Sequence, residues 1–297
     1  MMSEDKEVLA LLRLIDDPDA EVYQTVTDKI LGYGKAIIPK LESLWEVTED
    51  QEVQSRIETL IHRVHFQDLE ANFHEWASEK NPGLLRGAIL VARIQYPDLN
   101  PAGILSQVDN IRRNIWLELN PYLTPLEQVN VFNSILFSYF KLEGHELGER
   151  EPRHFYINQM FENRQGNGFS IGILYLVLCE LLDVPIFAVD IPRQLVFAYI
   201  SSHHPFQPAK PGEIPQIAFF IDPMNGSIYT RNDVDAYLKK IGATEVERYM
   251  QTLNSHKIIY KMMEELALCY RYLKQEEKAD EIQLLMRLIQ KNDETEM

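Results

Sequence analysis

Few residues of this chain are of types that do covalent chemistry, and their spacing limits what they could do. There are two cysteines, Cys179 and Cys269, far apart in the sequence. They make no disulfide framework and no metal-ligand spacing, so neither a metal nor a cofactor is expected. Ser170 lies just after the glycine-rich turn Gly166-Asn167-Gly168, at the start of an apolar run. A serine there is either a nucleophile or a first-turn capping residue, and capping is the commoner role. His203 and His204 stand side by side in the proline-rich stretch HHPFQPAKPGEIP, as a displaced base, a metal pair or solvated loop histidines. Asn158, Arg164 and Asn167 flank the glycine turn. Two readings stay open for them, lining a pocket or capping a helix.

These residues need elements to hold them. QGNGFSIGILYLVLCELLDVP reads as a glycine-rich turn followed by a buried helix that stops before Pro185. IFAVDI, LVFAYI and IAFFIDP are short runs rich in β-branched and aromatic residues, read as strands. The NG pair after the last of them marks a turn. A helix followed by three strands implies an α+β fold, with a small antiparallel sheet against the helix.

The rest of the chain reads as helical. In residues 4–65, Val22, Val26 and Ile30 lie on one helix face, and Val53, Ile57 and Ile61 repeat that spacing. Asp17-Pro18 reads as a helix N-cap with proline at the first helical position, and Gly34 as a helix stop. Residues 66–145 continue with three helical segments, the last running to Gly144, and HELGEREPR after it reads as a loop. Two amphipathic helices joined by KQE close the chain as a hairpin. The aromatic residues Phe132, Phe137, Tyr139 and Phe140, with Met262 and Met263, are at helical spacing and read as core.

Formal net charge is −16, which repels phosphate backbones and argues against nucleic acid as a partner. No apolar stretch reaches the roughly 20 residues of a membrane helix. The N-terminus has no basic, apolar secretory pattern, so a reducing, cytoplasmic setting is expected.

NRQGNGFSIGILYLVLCELLDVPIFAVDIP, ILVARIQYPDLN and FFIDPMNGSIYT together resemble the transglutaminase-like superfamily, of papain-related fold, and within it the bacterial SirB-type branch. LIDDPDAEV…ILGYGKAIIPKLESLW resembles HEAT-type repeats, and the C-terminal hairpin is similar to a TPR pair. The resemblance implies three parts: HEAT-like helices at 1–75, a transglutaminase-like core at 76–248, and a TPR-like hairpin with its tail at 249–297.

In that superfamily a cysteine at a helix N-terminus is the nucleophile, activated by the helix dipole. A histidine acts as base, and an aspartate orients it. The positions carried over onto this chain are Gly168 for the cysteine, Gln194 for the histidine and Asp222, in Ile221-Asp222-Pro223, for the aspartate. Glycine has no side chain, and a glutamine amide does not titrate near neutral pH. Relatives of this branch often lack the cysteine, which implies a use of the fold without acyl transfer. Arg193 places a cation beside the old site, where it either pairs with Asp222 or an acidic ligand or stands exposed. The resemblance therefore implies a catalytically inactive module for a protein or peptide partner. Arg164, Asn167, Ser170, Arg193, Gln194, Asp222 and Asn225 are its candidate binding residues. The competing reading is a hydrolase or acyltransferase that relocates its nucleophile to Ser170 or Cys179.

Overall fold

A computed structural model describes residues 7–8, 10–17, 19–192, 195–200, 216–243 and 248–293. The chain forms two compact units, residues 1–75 and 76–297. Among the described residues, no helix is long and apolar enough to cross a membrane.

The first unit is helical. It comprises α1 (Ala20–Gly32), α2 (Ile38–Val47) and most of α3 (Gln51–Ser78). The repeated apolar spacing is its core: Val26, Ile30, Ile57 and Leu60 are buried, and Val22, Val53 and Ile61 pack against them. The cap of α1 is Asp19, whose carboxylate accepts from the N–H of Glu21, and not Asp17. Asp17 instead accepts from the N–H of Asp19. Two acidic residues spaced by two can each serve an exposed N–H, and the helix starts after the second.

The second unit starts with α4 (Leu84–Arg93), α5 (Pro101–Glu118) and α6 (Pro125–Asn133). The helix expected to run to Gly144 changes form at Ser134. Ser134–Tyr139 is a π-helix, in which Phe140 N–H donates to the carbonyl of Ile135. Lys141 then takes a left-handed backbone, with φ of 56°. The wider turn frees the chain to enter strand β1 (Glu143–His145). It also leaves Tyr139 exposed, where helical spacing had placed it in the core; Phe132, Met262 and Met263 are buried as expected.

Strand β1 pairs in parallel with β2 (Gln165–Asn167), which follows α7 (Ile157–Asn163) and leads directly into α8 (Gly168–Leu181). The antiparallel sheet comes next, in the order β3 (Ile186–Val189), β4 (Val196–Ile200), β5 (Ile217–Ile221) and β6 (Ile228–Tyr229). Alternation along β4 serves two faces. Val196 and Ala198 join Val234 and Leu238 of α9 (Arg231–Lys240) in one cluster. Phe197 turns the other way, its ring 5.5 Å from that of Tyr175 in α8. The sheet is thus held between α8 and α9.

The closing hairpin, α10 (Ser255–Tyr272) and α11 (Glu276–Asp293), belongs to this same unit. Its anchor is a buried pair of phenols, Tyr156 and Tyr270, with oxygens 2.6 Å apart. The Tyr270 hydroxyl also donates to Gln95, which accepts from Lys278 as well.

Candidate functional site

The N-terminus of α8 is built around Asn167. Its side-chain oxygen accepts from the N–H groups of Phe169 and Ser170, at 2.9 and 3.1 Å. Ser170 completes a capping box by accepting from the N–H of Asn167 at 3.1 Å. Two of the orphan donors of a helix start are satisfied in this way. The Ser170 hydroxyl then donates to the main-chain carbonyl of His154 at 2.6 Å, and the residue is 0% exposed. Ser170 and the side-chain oxygen of Asn167 are thus spent on holding the turn, while the Asn167 Nδ2 is buried with no hydrogen-bond partner among the described residues.

Gly168 is the first residue of α8, and a side chain there would not clash. A β-carbon built there would meet only Cγ of Met224 at 3.6 Å and Cγ of Pro223 at 3.8 Å. Both are ordinary contacts. Gly168 is also a lining residue of a cavity of about 280 Å³. Phe169, Leu195, Pro223 and Met224 supply its apolar lining; Glu146 and Asp222 bring carboxylates. Gly168 and Asp222 therefore meet at one cavity. Gln194 and Arg193 lie outside the described residues, as do His203 and His204.

Asp222 is placed by a turn that only glycine allows. Its carboxylate accepts from the N–H of Met224 at 2.8 Å and from the Tyr229 hydroxyl at 3.5 Å. Its backbone carbonyl accepts from the N–H of Gly226. Gly226 has φ of 72°, and a β-carbon there would lie 2.1 Å from Oδ1 of Asn133. The turn is bolted from the other side by the Asn133 amide, which donates to the carbonyl of Gly226 at 2.8 Å. Strand β1 presses on the same turn, since a β-carbon on Gly144 would be 2.5 Å from the carbonyl oxygen of Met224. Burial raises the pKa of Asp222 above the usual carboxylate value, and nearby Glu146 adds to the shift. The hydrogen bonds from Met224 and Tyr229 oppose it.

The other candidates fall elsewhere. Asn225 is exposed and accepts from the N–H of Ser227, a local turn contact away from the cavity lining. Arg164 caps α7 with a left-handed backbone, and its guanidinium lies over the Phe140 ring at 5.7 Å. Asn158 is buried. Cys179 is fully buried, and desolvation raises its thiol pKa well above normal. Cys269 is raised to about 11, chiefly by burial.

One cluster was not read from the sequence. His145 at the end of β1, Glu149 and His154 stand together, and a ligand atom from each lies within 4.8 Å of the others. His145 is in register with Asn167, one residue from the open position at Gly168. The pKa of His154 is lowered, first by burial and then by the neighbouring His145.

With this geometry in view, comparison with known proteins decides the family. A family model described as the transglutaminase-like superfamily matches residues 102–264. The chain belongs to the transglutaminase-like superfamily. That span includes α8, the sheet and the Asp222 turn. The chain is also similar to the UPF0162 protein of Xylella fastidiosa (strain Temecula1), 32% identical over 113 residues, or 37% of this chain and 39% of that one. A UPF0162 protein of Haemophilus influenzae is 27% identical over 39% of each chain. The UPF0162 protein YchA of Escherichia coli (strain K12) is 22% identical over 62% of this chain and 65% of its own. The similarity to the first two thus spans about two fifths of their length. No solved structure matches the chain.

Proposed function

We propose that this chain uses a degenerate transglutaminase-like core, of the SirB-type branch, as a protein- or peptide-binding module that performs no acyl transfer. HEAT-like helices precede the core and a TPR-like hairpin follows it, each a helical-repeat element of the kind that presents binding surfaces, and the setting is cytoplasmic. The observation that carries this reading is the cavity at Gly168. By the resemblance, Gly168 stands where the superfamily places its thiolate, and a β-carbon there would meet only ordinary contacts. Asp222 lines the same cavity, and by the resemblance Gln194 stands in place of the histidine that the superfamily's aspartate orients. Ser170 is committed to the capping box, and both cysteines are buried with raised pKa values, which argues against a relocated nucleophile.

The cavity's chemistry suggests its ligand. Apolar walls with two carboxylates, in a chain of net charge −16, suit a peptide side chain with an apolar stem and a cationic end, such as lysine. Peptides bearing a single Lys, Gln or Leu, titrated by fluorescence anisotropy, test this. Saturable binding that favours Lys and weakens tenfold or more in Asp222→Asn supports it. Equal affinity for all three peptides, or their cleavage or acylation, overturns it.

A further inference from the structure

Beside the cavity, the geometry points to a site for one divalent cation of the zinc type, held by His145, Glu149 and His154. Two imidazoles and a carboxylate are a donor set that zinc uses in three-ligand sites, with the fourth position open. The three come from one short segment folded back on itself, and a ligand atom of each lies within 4.8 Å of the others.

The second observation concerns satisfaction. His154 is 4% exposed, and its Nε2 is buried with no hydrogen-bond partner among the described residues. The Nε2 of His145 is in the same condition. A buried ring nitrogen left without a partner costs desolvation energy, and a cation taking its lone pair removes that cost. Glu149 is already drawn in, with Oε2 2.9 Å from Nδ1 of His145.

The scaffold is fixed where a site needs it fixed. The carbonyl of His154 is held by the Ser170 hydroxyl. His145 is locked in register beside Asn167. Arg150, between them, lays its guanidinium over the Tyr272 ring at 3.7 Å. The parts that must adjust are the freer ones. The two imidazoles stack with centroids 4.2 Å apart and planes 22° from parallel, so the ring of His145 turns out of the stack to present a nitrogen. Tetrahedral zinc sets its donors about 3.4 Å apart. The half-exposed side chain of Glu149 closes the remaining gap. Because Glu146, Leu147 and Gly148 line the cavity, the bound cation would stiffen that wall.

The test is metal-stripped full-length protein titrated with Zn²⁺ in a chelator-competition assay, with melting temperature followed in parallel. One Zn²⁺ per chain at sub-micromolar affinity is expected, with a rise in melting temperature. Glu149→Gln and His145→Ala, both at partly exposed positions, should fold as the wild type does, weaken binding at least tenfold and lose the melting shift. Three results would overturn the proposal. These are no saturable binding, unchanged affinity in both variants, or loss of binding only when histidines outside the cluster (His203, His204 and the exposed His62 and His74) are replaced.

Discussion

The β-carbon that Gly168 lacks would stand 3.6 Å from Cγ of Met224, in ordinary contact and at the edge of a real cavity. A side chain at this position would meet only ordinary contacts. Gly166, two residues earlier, is the opposite case: a β-carbon there would lie 2.5 Å from the Ser170 hydroxyl and 2.9 Å from Ile171.

The two positions should therefore separate in experiment. Gly168→Cys should fold with a melting temperature within a few degrees of wild type. Its thiol, at a helix N-terminus and beside open space, should alkylate readily at pH 7. Gly166→Cys should lose on the order of 1–3 kcal/mol in denaturant unfolding, because the chain must shift to admit the side chain.

Ser170 should behave as a structural residue. Removing its hydroxyl takes away the contacts to Asn167 and His154. It leaves the N–H of Asn167 and the His154 carbonyl unpaired in the interior. Ser170→Ala should cost about 1–3 kcal/mol, and a fluorophosphonate probe should not label the wild-type residue. Stoichiometric labelling at Ser170 would restore the hydrolase reading.

The cysteines should be silent in the native state. With a pKa of about 11 for Cys269, only about a thousandth of it is thiolate at pH 8 by the ionisation equilibrium. Cys179 is deeper still. Iodoacetamide at pH 8 should modify neither until denaturant is added, as mass spectrometry would show.

Asp222 sets a pH dependence with a definite sign. Its folded pKa is raised, so it favours folding below the unfolded carboxylate value of about 3.9 and loses that contribution as pH rises through the folded value. Asp222→Asn keeps an acceptor for Met224 and removes the buried charge. Its stability relative to wild type should therefore increase between pH 4 and pH 7, read from thermal melts across that range. A difference that falls with pH would contradict the burial argument.

Much of the positioning machinery is legible in the sequence. The apolar run from Ile171 to Cys179 reads as a buried helix, and the short runs after it read as strands from their β-branched and aromatic content. Asp222 is picked out by the resemblance, and the Asn-Gly pair after it reads as a turn. Asn167 and Ser170 also carry a readable signal, an N-cap residue with a partner three positions on. The same signal at Thr230 and Asp233, a full capping box, starts a helix that strand-reading alone passed over. Other features have no local signature. β1 and β2 are three residues each, too short for alternation to show, and their pairing is parallel and distant in sequence. The π-helix has no composition rule. The cluster at His145, Glu149 and His154 sits in a polar stretch that reads as loop, and only the fold-back through the two short 3-10 turns, Leu147–Glu149 and Pro152–Phe155, brings its ends together.

The most direct test of a binding module in place of an enzyme is the fate of the ligand itself. Wild-type protein at saturating Lys- and Gln-bearing peptide, incubated for hours and read by intact mass, should return the peptide and protein at unchanged mass while anisotropy reports a bound complex. A deamidated, cleaved or cross-linked product that forms in wild type and disappears in Ser170→Ala or Cys179→Ala would contradict it.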